Sequence, residues 1–480
     1  AEWEWGGLPP YLLRIPDISI RNMDPRYMAA VKRYVDRMSQ VIRPHLITNG
    51  GNIVMVQVEN EYGSFSNDRT YMQALKNYWV KNGINVPFYT ADGPTNFMLE
   101  AGSLPGAAVG LDPGGNPGNF ALARKKNPGV PVFSSETYPG WLTHWGEKWA
   151  RPDTASLLKE VKFLMDSSLS LNFYVIHGGT NFGYTAGANA FNPTQYQPDL
   201  TSYDYDAPIN EQGRPTAKYY ALRNLIGQYV KNIPKVPAPI PVMNIPEIQL
   251  QPYSSVWSNL PKPIASATPK PFEYYGQDYG MMVYKTKLIG HKNGKLTIWE
   301  PHDYALVFLN GKFIDTVFRD GGNWTVDLPK SDVQDPVLEI LVEGMGRINF
   351  AQFMIDRKGI TDRVTLNGMT LTNWEVFPLP FSDSDVSDLK PAAIDTARRG
   401  VFFKGSFELT TTADTFFDLS RYKKGMVWVN GHNLGRYWYI GPQQRLYCPA
   451  PWLKKGKNEI LVLDLLENEA RTVAGKETLE

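Results

Sequence analysis

A chain of 480 residues is long enough for two to four domains with cores of their own. Hydrophobic content of 42%, charged content of 20% and a net charge of +1 fit a globular protein and give no reason to expect nucleic acid or an anionic membrane as partner. No apolar run reaches the roughly 18 residues of a membrane-spanning helix, and the single cysteine, Cys448, excludes an intrachain disulfide and a cysteine-rich metal site.

The chain opens on "AEWEWGGLPPYLL" with neither an initiator Met nor a signal peptide, so N-terminal sequence is expected to be missing. The compartment stays open, with a secreted or periplasmic location favoured. "DPRYMAAVKRYVDRMSQVI" then predicts a helix: Asp24 can cap it, Pro25 suits the first helical position, and Met28, Val31, Val35, Met38 and Ile42 follow helical spacing. A strand follows at 53–58, with Val54, Val56 and Val58 on one buried face, and further strands are predicted within 86–93, 106–112, 129–136 and 169–179. Helical segments lie between them, the last at 215–230. Alternating β-α units point to a parallel sheet, so residues 1–231 form the first domain.

Pro-rich "NIPKVPAPIPVMNIPEIQLQP" cannot continue a helix or form a central strand, and residues 232–262 read as a linker. Beyond it, short alternating strands and turn signals predict all-β domains at 263–378 and 379–480. These contain a repeat: "LNGKF" precedes "EILV" and "VNGHN" precedes "EILV", with 29 residues from Asn310 to Glu339 and again from Asn430 to Glu459. Asn-Gly is a strong hairpin signal, and the equal offset suggests two copies of one jelly-roll-like unit.

Two strands end in carboxylates. "VMVQVENEYGS" runs from apolar residues into Glu59-Asn60-Glu61, where strict alternation would put both glutamates on one face. "VPVFSSETYPGWLTHWG" runs into Glu136, with Trp141 and Trp145 following. Two predicted strands separate them, so on a barrel the two carboxylates could face each other across the mouth, where parallel α/β barrels place function. Two carboxylates flanking a pocket, with indoles to stack on a sugar ring, are the minimum equipment for glycoside hydrolysis.

"AEWEWGGLP", "VQVENEYGS", "SSETYPGWLTHWGE", "GGTNFGY" and "TSYDYDAP" resemble the signatures of glycoside hydrolase family 35 β-galactosidases, in that family's order. "EYYGQDYG", "LNGKF" and "VNGHNLGRYWYIGPQQRLYCPAPWLKKGKNEI" resemble its C-terminal domains. The resemblance covers nearly the whole chain and implies a TIM (β/α)8 barrel followed by two jelly-roll β-sandwich domains. It implies a retaining, exo-acting β-galactosidase that uses no cofactor. By position, Glu61 becomes the acid/base, Asn60 the ligand of the sugar 2-hydroxyl, Glu59 a supporting carboxylate and Glu136 the nucleophile. Ala1, Glu2 and Tyr205 become galactose contacts, Tyr184 a pocket wall, and Trp141 a further substrate contact. The motif order places "AEWEWGGLP" at the exit of barrel strand three. The barrel is therefore expected to be partial, with three strands and roughly 90 residues absent at about 30 per β-α unit.

The six histidines show no metal-ligand spacing, and His144 and His177 read as hydrogen-bonding residues. "DPGGNPGN" lacks the lysine of a phosphate loop. "NWT" at 323–325 matches a glycosylation sequon that commonly occurs by chance. Two alternatives stay open: the same mechanism on another terminal sugar such as β-glucosamine, and a carbohydrate-binding protein without turnover. The expected partner is a β-galactoside glycan, and association into a homo-oligomer is left open.

Overall fold

The computed structural model describes residues 3–395 and 397–480; Ala1 and Glu2, two of the expected galactose contacts, lie outside the described residues. The first half is built on a parallel sheet of β1 (Val56–Asn60), β2 (Phe88–Asp92), β3 (Ala108–Leu111), β4 (Val132–Thr137) and β5 (Leu171–Phe173), in that spatial order. Helix α1 (Pro25–Ile42) precedes it, and α2 (Arg69–Lys81), α3 (Asn96–Gly102), α4 (Pro117–Lys126) and α5 (Thr154–Asp166) fill the crossovers in turn. Capping follows the chemistry of the sequence: Asp24 accepts from the Arg26 N–H, Asp68 from those of Thr70 and Tyr71, and Asp153 from that of Ser156. A strand order that never reverses sends every right-handed crossover over the same face and leaves all strand C-termini on one rim. Among the described residues β1 and β5 are the outer strands, so the sheet is an open wall of five parallel strands, the number expected of a partial barrel.

The first strand starts later than the apolar pattern predicts. Val56 and Val58 are buried against Tyr27, Val35, Tyr71 and Leu75 of α1 and α2, whereas Val54 is exposed. The core between β3, β4 and α3–α5 is formed by Leu99, Val109, Leu111, Phe120, Val132 and Leu164.

The second half comprises two β-sandwiches. In the first, strands β6 (Met281–Lys287), β7 (Tyr304–Leu309), β8 (Lys312–Phe318) and β9 (Val337–Glu343) run in the antiparallel order β6-β9-β7-β8. In the second, β10 (Val401–Leu409), β11 (Lys424–Val429), β12 (His432–Trp438) and β13 (Gly456–Asp464) repeat it as β10-β13-β11-β12. Both hairpins turn on Asn-Gly with positive φ at each residue, 52° and 79° at Asn310-Gly311 and 50° and 86° at Asn430-Gly431. That is the backbone a type I′ turn demands. Each hairpin also carries a register shift at the same place, between Val307 and Phe308 and between Val427 and Trp428.

The equal spacing of 29 is a coincidence of sequence. Asn310 and Val337 exchange two bonds, the Asn310 N–H to the Val337 carbonyl and the Val337 N–H to Asn310 Oδ1, both 2.8 Å. Asn430 makes the same exchange with Glu459, at 2.9 and 3.0 Å. The equivalent partners therefore stand 27 and 29 residues downstream. A two-residue slip keeps inward residues inward, so the pattern of "EILV" hides it.

The stretch read as a linker also needs correction. Ile245–Gln249 pairs with Thr472–Lys476, and Gln251–Ser255 pairs with β10, so both are strands of the second sandwich. Each is the outer strand of its sheet, where Pro246 and Pro252 remove no ladder bond that a second neighbour would require.

Buried ions join the parts. Arg347 pairs with Glu4 and, at 2.6 Å, with Glu273, while Lys424 reaches Glu343 across the two sandwiches at 2.6 Å. One cluster, His302, Asp303 and Asp356, has the spacing of a metal site. Arg319 and Lys358 each contact both of its carboxylates at 2.7–3.0 Å, so its charge is matched by protein cations.

Candidate active site

The end of β1 is not regular. Its register against β2 shifts between Gln57 and Asn60, and Glu61 is left-handed at φ 51° with its N–H on the Ala91 carbonyl at 2.8 Å. Such an irregularity re-aims side chains at a strand end, so the strict alternation assumed for Glu59 and Glu61 does not hold. Glu59 takes Arg21 Nε at 2.9 Å, Arg21 Nη2 at 2.8 Å, the Tyr71 hydroxyl at 3.1 Å and the Asn60 N–H at 2.6 Å. Arg21 Nη2 also donates to the Asn60 carbonyl at 2.7 Å. Glu59 is thus bound on both oxygens and holds the strand end in place. Asn60 turns its amide nitrogen toward Glu61 Oε2 at 3.4 Å, and its side-chain oxygen accepts from Gln57 at 2.8 Å, which in turn accepts from Tyr89 at 2.9 Å.

At the end of β4, Glu136 accepts the Tyr138 hydroxyl at 3.0 Å. Tyr138 starts an aromatic wall: its ring stands edge-on to Trp141 with centroids 5.2 Å apart and to Tyr174 at 6.2 Å, and Tyr205 closes on Trp141, Tyr174 and Tyr203 at 5.1–6.4 Å. Trp141 is 46% exposed, which leaves an indole surface for a ligand. The wall is tied by the Trp141 N–H to the Tyr205 carbonyl at 3.1 Å. Gly140 makes that approach possible, since a Cβ there would lie 1.5 Å from the same carbonyl oxygen.

Between these two strands, β2 ends in Asp92 and β3 runs into Asp112, both buried. Four neighbouring strands therefore deliver Glu61, Asp92, Asp112 and Glu136 to one rim. Burial pushes Asp92 up to about 8; the Gly63 N–H at 2.7 Å opposes this, and the charges of Glu59 and Glu61 add to it. Burial and then the Glu136 charge hold Asp112 well above the usual carboxylate range, although Ser135 donates to it. The Tyr138 phenol is raised by burial and by the charges of Glu136, Asp112 and Glu61. The charges of Glu61 and Glu136 thus both reach Asp112 and Tyr138. Asp92 and Tyr138 keep their protons at neutral pH, and the upward shift of Asp112 acts in the same direction, which limits the negative charge gathered there.

Asn60 and Glu61 line a cavity of about 130 Å³ with Arg21, Tyr27 and, from the first sandwich, Asn349, Phe350 and Met354. Glu136 is not among its lining residues and stands on the side of the aromatic wall.

The profile described as "Glycosyl hydrolases family 35" matches residues 1–229. A β-galactosidase of Xanthomonas manihotis is 38% identical over 456 residues, covering 93% of this chain and 75% of its own. The chain belongs to glycosyl hydrolase family 35. Within that family, Beta-galactosidase 17 of Arabidopsis thaliana is 36% identical over 97% of this chain and 74% of its own, and a β-galactosidase of Bos taurus is 36% identical over 97% and 76%. The profiles "Beta-galactosidase, first all-beta domain" and "Beta-galactosidase, galactose-binding domain" match residues 269–380 and 400–458. The family 35 chain is a glycoside hydrolase.

In this family 35 enzyme the structure gathers Asn60, Glu61, Glu136, Trp141 and Tyr205 on one rim but not Tyr184. The Tyr184 hydroxyl bonds the Phe381 carbonyl at 3.2 Å, and its ring stacks on Tyr279 at 5.8 Å and lies 5.3 Å from the Arg436 guanidinium. It is an interface residue between the first domain and the sandwiches, because the segment after β5 leaves the rim. Asp92 and Asp112 were the residues sequence reasoning missed; both stand in the sequence as aspartates ending predicted strands. Arg21 carries no such signal.

Proposed function

We propose that the chain is a retaining, exo-acting β-galactosidase in which Glu136 is the nucleophile and Glu61 the acid/base, set in a (β/α)8 barrel of which β1–β5 are one wall. The observation that supports this reading is the pair of glutamates at the ends of β1 and β4, one with an amide at its carboxylate and the other with a phenol beside an aromatic wall, the charges of both acting on Asp112 and Tyr138.

The chemistry assigns each group a task. Glu136 attacks the anomeric carbon while Glu61 protonates the departing oxygen, giving a covalent glycosyl-enzyme with inverted configuration. Water then enters, deprotonated by Glu61, and a second inversion restores the original configuration. Negative charge on Glu136 favours the protonated form of Glu61 before cleavage, and that charge vanishes in the ester, so Glu61 can change from acid to base. The Asn60 amide is available to a sugar hydroxyl, the exposed Trp141 offers an aromatic face to the ring with the buried Tyr205 packed behind it, and the Tyr138 proton stabilises the Glu136 carboxylate after it leaves. β-Galactosides are the substrates named for the relatives, and the motifs at 54–64 and 134–147 support the same substrate here.

Azide separates the two roles. Glu136→Gly should lose turnover and, with azide, give a glycosyl azide of inverted configuration. Glu61→Ala should still react slowly with activated aryl galactosides and give the retained azide. The opposite stereochemistry in each variant would reverse the assignments. In a crystal structure the two carboxylates should stand about 5–5.5 Å apart, the retaining separation, and a gap of about 8 Å or more would contradict it.

A further inference from the structure

The first sandwich carries a feature its place in the fold does not explain. Its second sheet contains the strand Gly294–Ile298, flanked by Thr325–Leu328 on one side and Val364–Leu366 on the other. Leu296, Ile298, Val326, Leu328, Val364 and Leu366 point into the core. The alternate residues therefore point outward. Register sets three of them in a row: Thr297 lies opposite Thr325 on one neighbour and Thr365 on the other. Strand spacing puts these hydroxyls about 4.8 Å apart.

Trp299 stands just beyond that row. Its indole N–H donates to Thr365 Oγ1 at 3.2 Å, and the Arg363 guanidinium lies 4.9 Å from its ring centroid. The ring is thus held by a hydrogen bond and a cation–π contact, yet it remains 37% exposed and takes no part in the sandwich core. Around it opens a groove of about 400 Å³ that also includes Asn323, Asn367 and Lys295. The nearby charges are balanced, with Lys295 opposite Asp327 and Arg363 paired to Asp362 at 2.6 Å.

We propose that this groove is a second glycan-binding site, separate from the hydrolytic rim, for a neutral pyranoside chain stacked on Trp299. An immobilised indole offers a flat apolar face to the C–H groups of a pyranose ring, and the edges of that ring need hydroxyl and amide partners. Thr297, Thr325 and the two asparagines supply them, while the buried Thr365 holds the indole, and charge balance around the groove favours a neutral sugar over an acidic one. The site would anchor the enzyme to a polysaccharide while the first domain acts on chain ends. It needs no part of the assignments made for Glu61 and Glu136.

The test is affinity electrophoresis of the full chain in native gels containing soluble β-1,4-galactan, arabinogalactan or xyloglucan, against a polymer-free gel. At least one polymer should retard the parent, and Trp299→Ala should weaken the apparent affinity at least fivefold. Trp299→Phe keeps an aromatic face and should retain most of it. Hydrolysis of nitrophenyl β-galactoside should stay within twofold of the parent in both variants. Retardation by none of the three polymers would overturn the site. So would equal retardation of the parent and the alanine variant, or identical losses in the two variants when both unfold at the parent's temperature.

Discussion

Gly140→Ala tests how tightly the aromatic wall is fixed to the catalytic rim. An ideal Cβ at this position would lie 1.5 Å from the Tyr205 carbonyl oxygen, 2.7 Å from its carbon and 3.0 Å from a ring carbon of the same residue. A carbon and an oxygen in ordinary contact stand about 3.3 Å apart, so the two segments must separate by about 1.8 Å. The atom in the way is backbone, which cannot rotate aside. The Trp141–Tyr205 bond breaks, and Trp141 and Tyr205 shift relative to Glu136. Misplacement by about 1 Å can cost about 10²-fold in rate, so kcat/KM for nitrophenyl β-galactoside should fall at least about 10²-fold, equivalent to about 2.7 kcal/mol. Overpacking should cost stability as well, on the order of 1–3 kcal/mol. Gly179→Ala is the control: its Cβ would have nothing within 4 Å, and activity should stay within twofold. A Gly140→Ala variant within threefold of the parent, with an unchanged unfolding temperature, would show that the wall is not fixed in this way.

Arg21→Ala leaves Glu59 buried without its cation and should cost about 3–5 kcal/mol, read as a lowered denaturation midpoint of the first domain; pairing it with Glu59→Leu should recover much of that stability. Asp92→Asn bears on pH. The folded chain holds the Asp92 proton up to about pH 8 against an ordinary value of 3.8, so this group's stabilisation is complete below about pH 4 and is lost as pH rises through about 8. The amide can still accept the Gly63 N–H, so the variant should fold and show a flatter fall of unfolding temperature between pH 5 and 8. An unchanged slope would show that Asp92 is not the group responsible. Asn310→Ala and Asn430→Ala each force a β-carbon residue without a local polar partner into a left-handed turn and remove the bond from Val337 or Glu459. Each should cost about 1–2 kcal/mol in denaturant unfolding, with the glycine variants milder.

Sequence is a good guide here where a local rule decides the structure. The Asn-Gly turns are legible because only a few residues accept two positive φ values in succession, and helix α1 is legible from its cap and spacing. Strands β1–β5 follow from apolar runs, although Val54 shows that an apolar residue next to a strand need not belong to it. Non-local contacts are harder to foresee. Arg21 reaches Glu59 across 38 positions of sequence, and no composition or spacing signals that pairing. Asp92 and Asp112 were visible as strand-final aspartates, but an expectation of two carboxylates left no role for them. Proline correctly excludes a central strand but says nothing against an outer one, which is how Ile245–Gln249 and Gln251–Ser255 were taken for a linker. Tyr184 stands in a motif that resembles the family's, yet its position depends on how the segment after β5 packs against Tyr279 and Arg436, residues far away in the chain.

The central claim is that Glu136 becomes covalently bound to the sugar. A 2-deoxy-2-fluoro-β-galactosyl fluoride slows hydrolysis of a glycosyl-enzyme more than its formation, so the intermediate accumulates and can be digested and sequenced by mass spectrometry. The account predicts one fluorogalactosyl group per active chain, on the peptide containing Glu136 and attached to that side chain. A label on Glu61, or complete turnover with inverted product and no labelled peptide, would contradict it.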